Sequence, residues 1–508
     1  MKKNSLKISV IISYLYLLVS IIGTFLVTPI LLDYIGDEKY GLLSFCTAIT
    51  TWLTVVTTAL GSSYIYFAKK EDLNTSNSQV TNTLFFKLFS IFSIGIFLVA
   101  ICLFPLLYGL GVSFGNYSWD DSKIIYVLLS ISTFQVCFTI LFSVFNNFLI
   151  TDKRFIFVRA KHLITTILVF LFNLLFTFLT KSIISIAFVS LASSIANNLL
   201  SMFYALRMRK MRFANAKLFN HKAMVKNIFI YSSFVLANTL VSTMNNSMDK
   251  ILLGFFSEPS NVTLYSLSFS FSLYLATMIG SISETFVPKI HELLEQKNHG
   301  EADKLFIKIS KLQSLIIIVV VFGFVACGYD FVKIWVSEAR ISVYYYALVL
   351  NILTIVPLTS TTCIDFERAC NKHKFRAIVY VVAALLNVVI STLLLFTLKS
   401  INPIWCCIIG TIFSKILSEW IILPIYDKLV LKISIKKYFL NLFIFAIYGI
   451  LAIGATFLYR YFVVNYLNSP VLLVTEIVLF IIVFSAFMII FNRNYLLELL
   501  GKRNENEK

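Results

Sequence analysis

Runs of roughly 20 apolar residues, separated by short polar or basic stretches, recur along the chain, each long enough to cross the hydrocarbon of a membrane as a helix. Fourteen can be laid out, near residues 8–32, 41–67, 84–110, 123–149, 162–180, 183–205, 228–250, 262–287, 312–332, 341–364, 376–398, 402–425, 438–462 and 470–491. The pattern predicts an all-α polytopic membrane protein with about 14 transmembrane helices. The first run, Ile8 to Leu32, is too long for a signal-peptide core and lacks a cleavage site, so it is expected to be retained as the first span. Only Lys181 and Ser182 separate the fifth and sixth runs, which predicts a tight helical hairpin.

Polar residues interrupt several spans at helical period. Ser9, Ser13, Tyr16, Ser20 and Thr24 form one stripe on the first span. Ser44, Thr47, Thr51, Thr54, Thr58 and Gly61 form another on the second. Tyr231, Asn238, Ser242, Asn245 and Asp249 form a third on the seventh. Such stripes suit a hydroxyl- and amide-lined cavity that takes a sugar. They equally suit close packing of helices through small residues.

Composition agrees with a membrane environment. The 508 residues are 59% hydrophobic and 13% charged, too few charges to cover a soluble protein of this length. With the N-terminus placed in the cytoplasm, 34 of the 43 lysines and arginines fall on the cytoplasmic side, 8 on the outer side, and Lys415 remains within a span. That asymmetry follows the positive-inside rule and predicts cytoplasmic termini. The net charge of +18 is thus a record of topology and of contact with anionic lipid. Bases spread over membrane-bounded loops do not form a nucleic-acid surface. The richest loop, Arg207 to Lys226, holds seven bases and no acid. It reads either as a lipid-gathering surface helix or as a plain linker.

No motif for metal or nucleotide chemistry is present. The eight cysteines lie mostly in apolar runs without ligand spacing, and read as small core residues. The five histidines, His162, His221, His291, His299 and His373, read as lying in or beside basic loops, with none mid-span. There is no HExxH pair and no Walker A loop, so neither a cofactor nor direct ATP drive is expected.

The chain also repeats itself. "KSIISIAFVSLASSIANNLLSMFY" from Lys181 aligns without gaps on "KSINPIWCCIIGTIFSKILSEWII" from Lys399, and "EKYGLLSF" from Glu38 echoes "VTLYSLSF" from Val262. Spans one to six thus match spans seven to twelve as a parallel repeat. The expected organisation is a six-helix bundle over 1–206, a basic cytoplasmic linker over 207–227, a second bundle over 228–427, and two extra helices with a tail over 428–508.

The stretches "FLVTPILLDYIGDEKYGLLSF", Phe25 to Phe45, "MDKILLGFFSEPSNVTLYSLS" and "ETFVPKIHELLEQKN" carry a resemblance. With the topology, they make the chain resemble the Wzx-type O-antigen and polysaccharide flippases of the MOP (MATE-like) exporter superfamily. The resemblance implies two six-helix bundles around a cavity open alternately to each side. It implies as substrate an undecaprenyl-pyrophosphate-linked oligosaccharide, an O-antigen or capsular or exopolysaccharide repeat unit, moved from the cytoplasmic to the outer leaflet. It implies a bacterial cell (inner) membrane protein, and leaves room for a polysaccharide polymerase and chain-length proteins as partners beside membrane lipid.

Lys415 then stands out. Twelve residues beyond Pro403, it lies about 18 Å along its helix, near mid-membrane. A lysine there costs about 2.5–3.5 kcal/mol on insertion scales, so it should face a cavity or a partner. Glu419, four residues on, could neutralise it; alternatively Lys415 attracts a pyrophosphate or acidic sugar. The repeat places Asn197 opposite Lys415. The candidate cavity residues are therefore Lys415, Glu419, Asn197, Asn238, Ser242, Asn245, Asp249, Lys250, Ser20 and Thr24. Glu284 and Glu476 are further charges to place, with Glu476 expected in packing or at the lipid interface.

Two other classes compete. A small-molecule or drug exporter of the same fold would want buried acids in its cavity, and the first span has none. A membrane polymerase or ligase would need a sizeable outer domain, whereas the longest outer connections are about a dozen residues.

Overall fold

The computed structural model describes residues 3–69, 76–111, 117–296, 298–370, 372, 374–431, 435–464 and 468–493. Nearly all are helical. In chain order the helices are α1 (Lys3–Ile35), α2 (Asp37–Ala68), α3 (Ser76–Gly109), α4 (Trp119–Thr151), α5 (Phe155–Thr180), α6 (Ile183–Phe203), α7 (Lys222–Phe256) and α8 (Pro259–Glu295). They continue as α9 (His299–Val336), α10 (Ser342–Thr359), α11 (Thr361–Ala369), α12 (Lys374–Thr397), α13 (Pro403–Lys415), α14 (Leu423–Val430), α15 (Ile435–Val463) and α16 (Ser469–Phe491). The tenth span consists of α10 and α11, and the twelfth of α13, a π-helical segment Ile416–Ile422, and α14. Counted so, 14 helices among the described residues are long and apolar enough to cross a membrane, and the chain is a multi-pass membrane protein.

Local chemistry sets the turns. Gly36 joins α1 to α2 at φ 89°, a conformation glycine adopts without strain. The predicted hairpin of α5 and α6 closes through Lys181, left-handed at φ 49°. The Ser118 hydroxyl accepts from the Asp121 N–H at 3.1 Å and caps α4.

Two compact units can be distinguished: Met1–Ser266 with Thr392–Cys407, and Leu267–Ser391 with Ile408–Lys508. In the first, α2 is the central helix. It packs on α7 through an edge-to-face contact of Phe45 with Phe255 and a 2.6 Å hydroxyl contact between Ser63 and Ser232. Its Gly41 lies against the start of α8, where an added Cβ would overlap the Pro259 carbonyl. Thr263 donates to the Asp37 carbonyl at 2.6 Å in the same corner. The Ile-Gly and Tyr-Gly elements of the sequence motif are thus a left-handed turn and a close helix approach.

The basic segment after α6 is not a lipid-gathering helix over its central part. Residues 210–217 run as a non-helical strap along α3. The Arg212 carbonyl accepts from Asn82 at 3.0 Å, the Ala214 carbonyl from Thr83 at 2.9 Å and the Ala216 carbonyl from Lys87 at 2.6 Å. Met211 and Ala216 are buried, and Arg209 pairs with Asp152.

In the second unit, α9, α15 and α16 share an apolar core around Ile317, Phe445, Ala452 and Phe480. Glu476 is fully buried there and faces Arg460, which also binds Asp330, so it does not lie at a lipid interface. The side chain of Glu284 and the whole of His373 lie outside the described residues.

Candidate functional site

A polar cavity of the first unit, about 350 Å³, lies where α2, α4, α5 and α6 converge. Thr58, Asn146, Asn147, His162, Asn197 and Asn198 are among its lining residues, and Lys161 supplies its cation. Lys161 is 6% exposed. Its Nζ donates to Ser201 Oγ at 2.5 Å, to the Asn197 carbonyl at 3.2 Å and to Asn146 Oδ1 at 3.3 Å. All three acceptors are neutral, and no carboxylate is among the lining residues. A buried ammonium held by neutral groups has no counter-charge in its shell, and in a low dielectric it strongly favours an anion.

His162, the next residue, meets Asn197 Nδ2 through its Nδ1 at 3.1 Å. The amide is the donor, which leaves the ring proton on Nε2. Asn197 Oδ1 is buried without a hydrogen-bond partner. Thr139, Ser194 and Asn198 add a hydroxyl-amide network of 2.8–3.3 Å contacts. The wall thus offers amides and hydroxyls for sugar hydroxyls beside one fixed cation. Gly61 keeps the wall open, since a Cβ there would come within 2.9 Å of Asn147 Nδ2.

Sequence reading began the fifth span at residue 162, setting His162 in or beside a basic loop and leaving Lys161 outside the span. The structure corrects this: α5 begins at Phe155, and both residues lie inside it. The helix extends through the bases because Phe157 and Val158 keep an apolar face. Phe157 stacks on Tyr204 at 3.9 Å, and Val158 is buried. The signal was available as an apolar period running beneath the charges.

The candidates named from sequence distribute as follows. Asn197 lies in the pocket. Ser20 and Thr24 are half-buried on α1, with the Thr24 hydroxyl spent on the Ser20 carbonyl at 2.9 Å. On the same stripe, Tyr16 approaches the His162 ring at 6.3 Å. Asn238, Ser242 and Asn245 form an exposed polar line on α7. The line ends at Asp249, which is buried and accepts from the Tyr265 hydroxyl at 2.5 Å. Lys250 beside it is half-buried. The α2 threonines Thr47, Thr51, Thr54 and Thr58 are exposed along one face, each hydroxyl turned back to its own helix backbone.

Lys415 and Glu419 lie in the second unit and form no ion pair within 4.0 Å. Glu419 Oε2 is buried with no hydrogen-bond partner. The α-helical i, i+4 alignment fails because Ile416–Ile422 winds as a π-helix, whose turns hold more residues. In the repeat alignment Lys415 matches Asn197 and Glu419 matches Ser201, the two residues that Lys161 contacts.

One charged group was not visible in the sequence. Arg376 donates to both oxygens of Glu367 at 2.8 and 2.9 Å, and to Asp427 at 2.8 and 2.9 Å. All three are at most 3% exposed. Such distant partners leave no periodic trace.

Comparison with known proteins bears on this arrangement. The family described as "Polysaccharide biosynthesis protein" matches residues 6–294, more than half of the chain. No curated protein sequence matches it. Among solved structures, it is similar to a lipid II flippase MurJ in an inward closed conformation. The TM-score is 0.74 and identity 16%, over 96% of this chain and 100% of that one. It is also similar to a multidrug resistance MATE family transporter of the MOP superfamily, inward-facing, with TM-score 0.63 and 11% identity over 84% of this chain and 99% of that one. The MATE multidrug transporter DinF-BH superposes at TM-score 0.59 and 15% identity over 85% and 96%. At such identities the shared property is the polytopic transporter fold.

Proposed function

The chain belongs to the polysaccharide biosynthesis protein family, and from that premise we propose that it is a flippase for a polyprenyl-pyrophosphate-linked oligosaccharide. It carries the repeat unit of a surface polysaccharide from the cytoplasmic to the outer leaflet by alternating access, in a bacterial cell membrane with both termini cytoplasmic. The observation that carries this reading is Lys161, a buried cation held by neutral groups among amides and hydroxyls. The cation suits a phosphate, and the amides and hydroxyls suit a sugar. A cation exporter would need the opposite charge there, and none of the lining residues is acidic.

Lys415 serves as a second anion contact in the other half. Asn238, Ser242 and Asn245 serve as accessible sugar contacts, with Ser20 and Thr24 bordering the path. Asp249, Lys250 and Glu419 set its local charge. Deleting the gene tests the proposal. Surface polysaccharide should be lost while the lipid-linked repeat unit accumulates on the cytoplasmic side. Normal surface polymer in a strain without a redundant flippase would refute it.

A further inference from the structure

A second cavity of the first unit, about 600 Å³, runs between α5 and α6 and is walled almost wholly by apolar groups. On α5 its wall includes Leu168, Phe172 and Phe176; on α6 it includes Phe188, Ala192 and Ala196. The three aromatic rings are 36–54% exposed, so the cleft lies open along its length. Alanines on α6 facing phenylalanines on α5 leave the gap that larger residues would fill.

Its position gives it a meaning. Thr165, at one end of the cleft, donates to the carbonyls of Lys161 and His162, both at 3.0 Å. Ala196, on the opposite wall, precedes Asn197 of the polar pocket. The apolar cleft and the cationic pocket therefore follow one another on the same two helices. Arg159 adds positive charge at this end of α5, where Arg154 is paired with Asp152.

We infer that the α5–α6 cleft holds the polyprenyl chain of the substrate, with its phosphate at Lys161. The inference rests on the flippase reading above and deepens it. Two features select this occupant over an ordinary phospholipid. The first is charge: the cleft ends on a buried cation without a carboxylate, which an anionic headgroup complements. The second is length. From Thr165 to Thr180 the α5 wall rises about 22 Å, well beyond the roughly 15 Å depth of one leaflet. An acyl chain confined to one leaflet leaves much of the cleft empty, whereas a long isoprenoid chain fills it.

The test uses the purified full-length chain in phosphatidylethanolamine nanodiscs and undecaprenyl phosphate carrying a diazirine in mid-chain. After irradiation, peptides within 165–196 should carry the label. Unlabelled undecaprenyl phosphate should compete, and phosphatidylglycerol at equal excess should not. Ala192→Phe should lower labelling about tenfold or more, because a ring there displaces several buried methylenes. Dimethylallyl phosphate, whose single isoprene unit stops short of Ala192, five residues and about 7.5 Å from Asn197 along α6, should bind the variant as well as wild type and so report that the pocket is folded. Label placed outside α5 and α6 in wild type, or equal competition by phosphatidylglycerol, would overturn the inference. The gene-deletion phenotype separates the two claims. Misplaced label with lipid-linked sugar accumulating in the deletion strain removes the cleft and leaves the flippase. Normal surface polymer in that strain removes the flippase, and this inference with it.

Discussion

Lys161 of α5 donates to the Asn197 carbonyl of α6 at 3.2 Å, so a cation that charge alone would assign to a loop is fixed inside the first helical unit. Lys161→Met keeps the length of the side chain and removes the charge. Stability should hold or rise, because removing an unpaired buried cation relieves its desolvation cost, which offsets the three hydrogen bonds lost to neutral acceptors. Export should fall about tenfold to a hundredfold, the loss of one charge-assisted contact with phosphate. Surface polymer per unit of inserted protein measures it; unchanged export would remove Lys161 from the path.

Lys415 and Glu419 give a contrasting pair of outcomes. Since no ion pair closes between them, Lys415→Ala should lower export without loss of inserted protein. The double change with Glu419→Ala should not restore it. Recovery in the double variant, again scored as polymer per inserted protein, would show that the lysine serves only to neutralise the acid.

Arg376 is held by two buried carboxylates, so its removal is a stability experiment. Arg376→Ala leaves Glu367 and Asp427 without their counter-charge and should destabilise by about 3–5 kcal/mol. Arg376→Lys should recover little, because an ammonium cannot reproduce the forked contacts to both acids. Thermal unfolding of detergent-purified protein reads both; a lysine variant that melts like wild type would contradict this account.

Gly41 tests the packing of α2. A Cβ there meets the Pro259 backbone, which cannot swing aside as a side chain could. Gly41→Ala should cost about 1–3 kcal/mol through overpacking. Gly95→Ala, at a helical position where a Cβ meets nothing within 4 Å, is the matched control. Equal melting temperatures for the two variants would dissociate the glycine from the contact.

The helices were legible in the sequence because a membrane demands long apolar runs, and Lys181–Ser182 left no room for anything but a hairpin. The repeat rests on the sequence, where spans six and twelve share their opening Lys-Ser-Ile. The site was legible only in part. Asn197 was found through the repeat, but Lys161 and His162 were hidden because a count of bases cannot separate a loop from a helix end. The Arg376 cluster joins residues 9 and 51 positions apart, so only folding brings it together. The π-helical turn after Lys415 changed a pairing that α-helical spacing had suggested.

The strap after α6 has a consequence for proteolysis. The segment from Arg207 to Lys226 offers trypsin seven cleavage sites and would be expected to nick readily as an exposed loop. A protease must draw several residues of extended backbone into its own cleft. Around Arg212 the neighbouring carbonyls are already bonded to Asn82, Thr83 and Lys87. Cutting there has to wait until the strap peels from α3, and the same holds at Lys217, whose preceding residues Ala214 and Ala216 carry two of those bonds, so early digestion should favour Lys222, beyond the last of them.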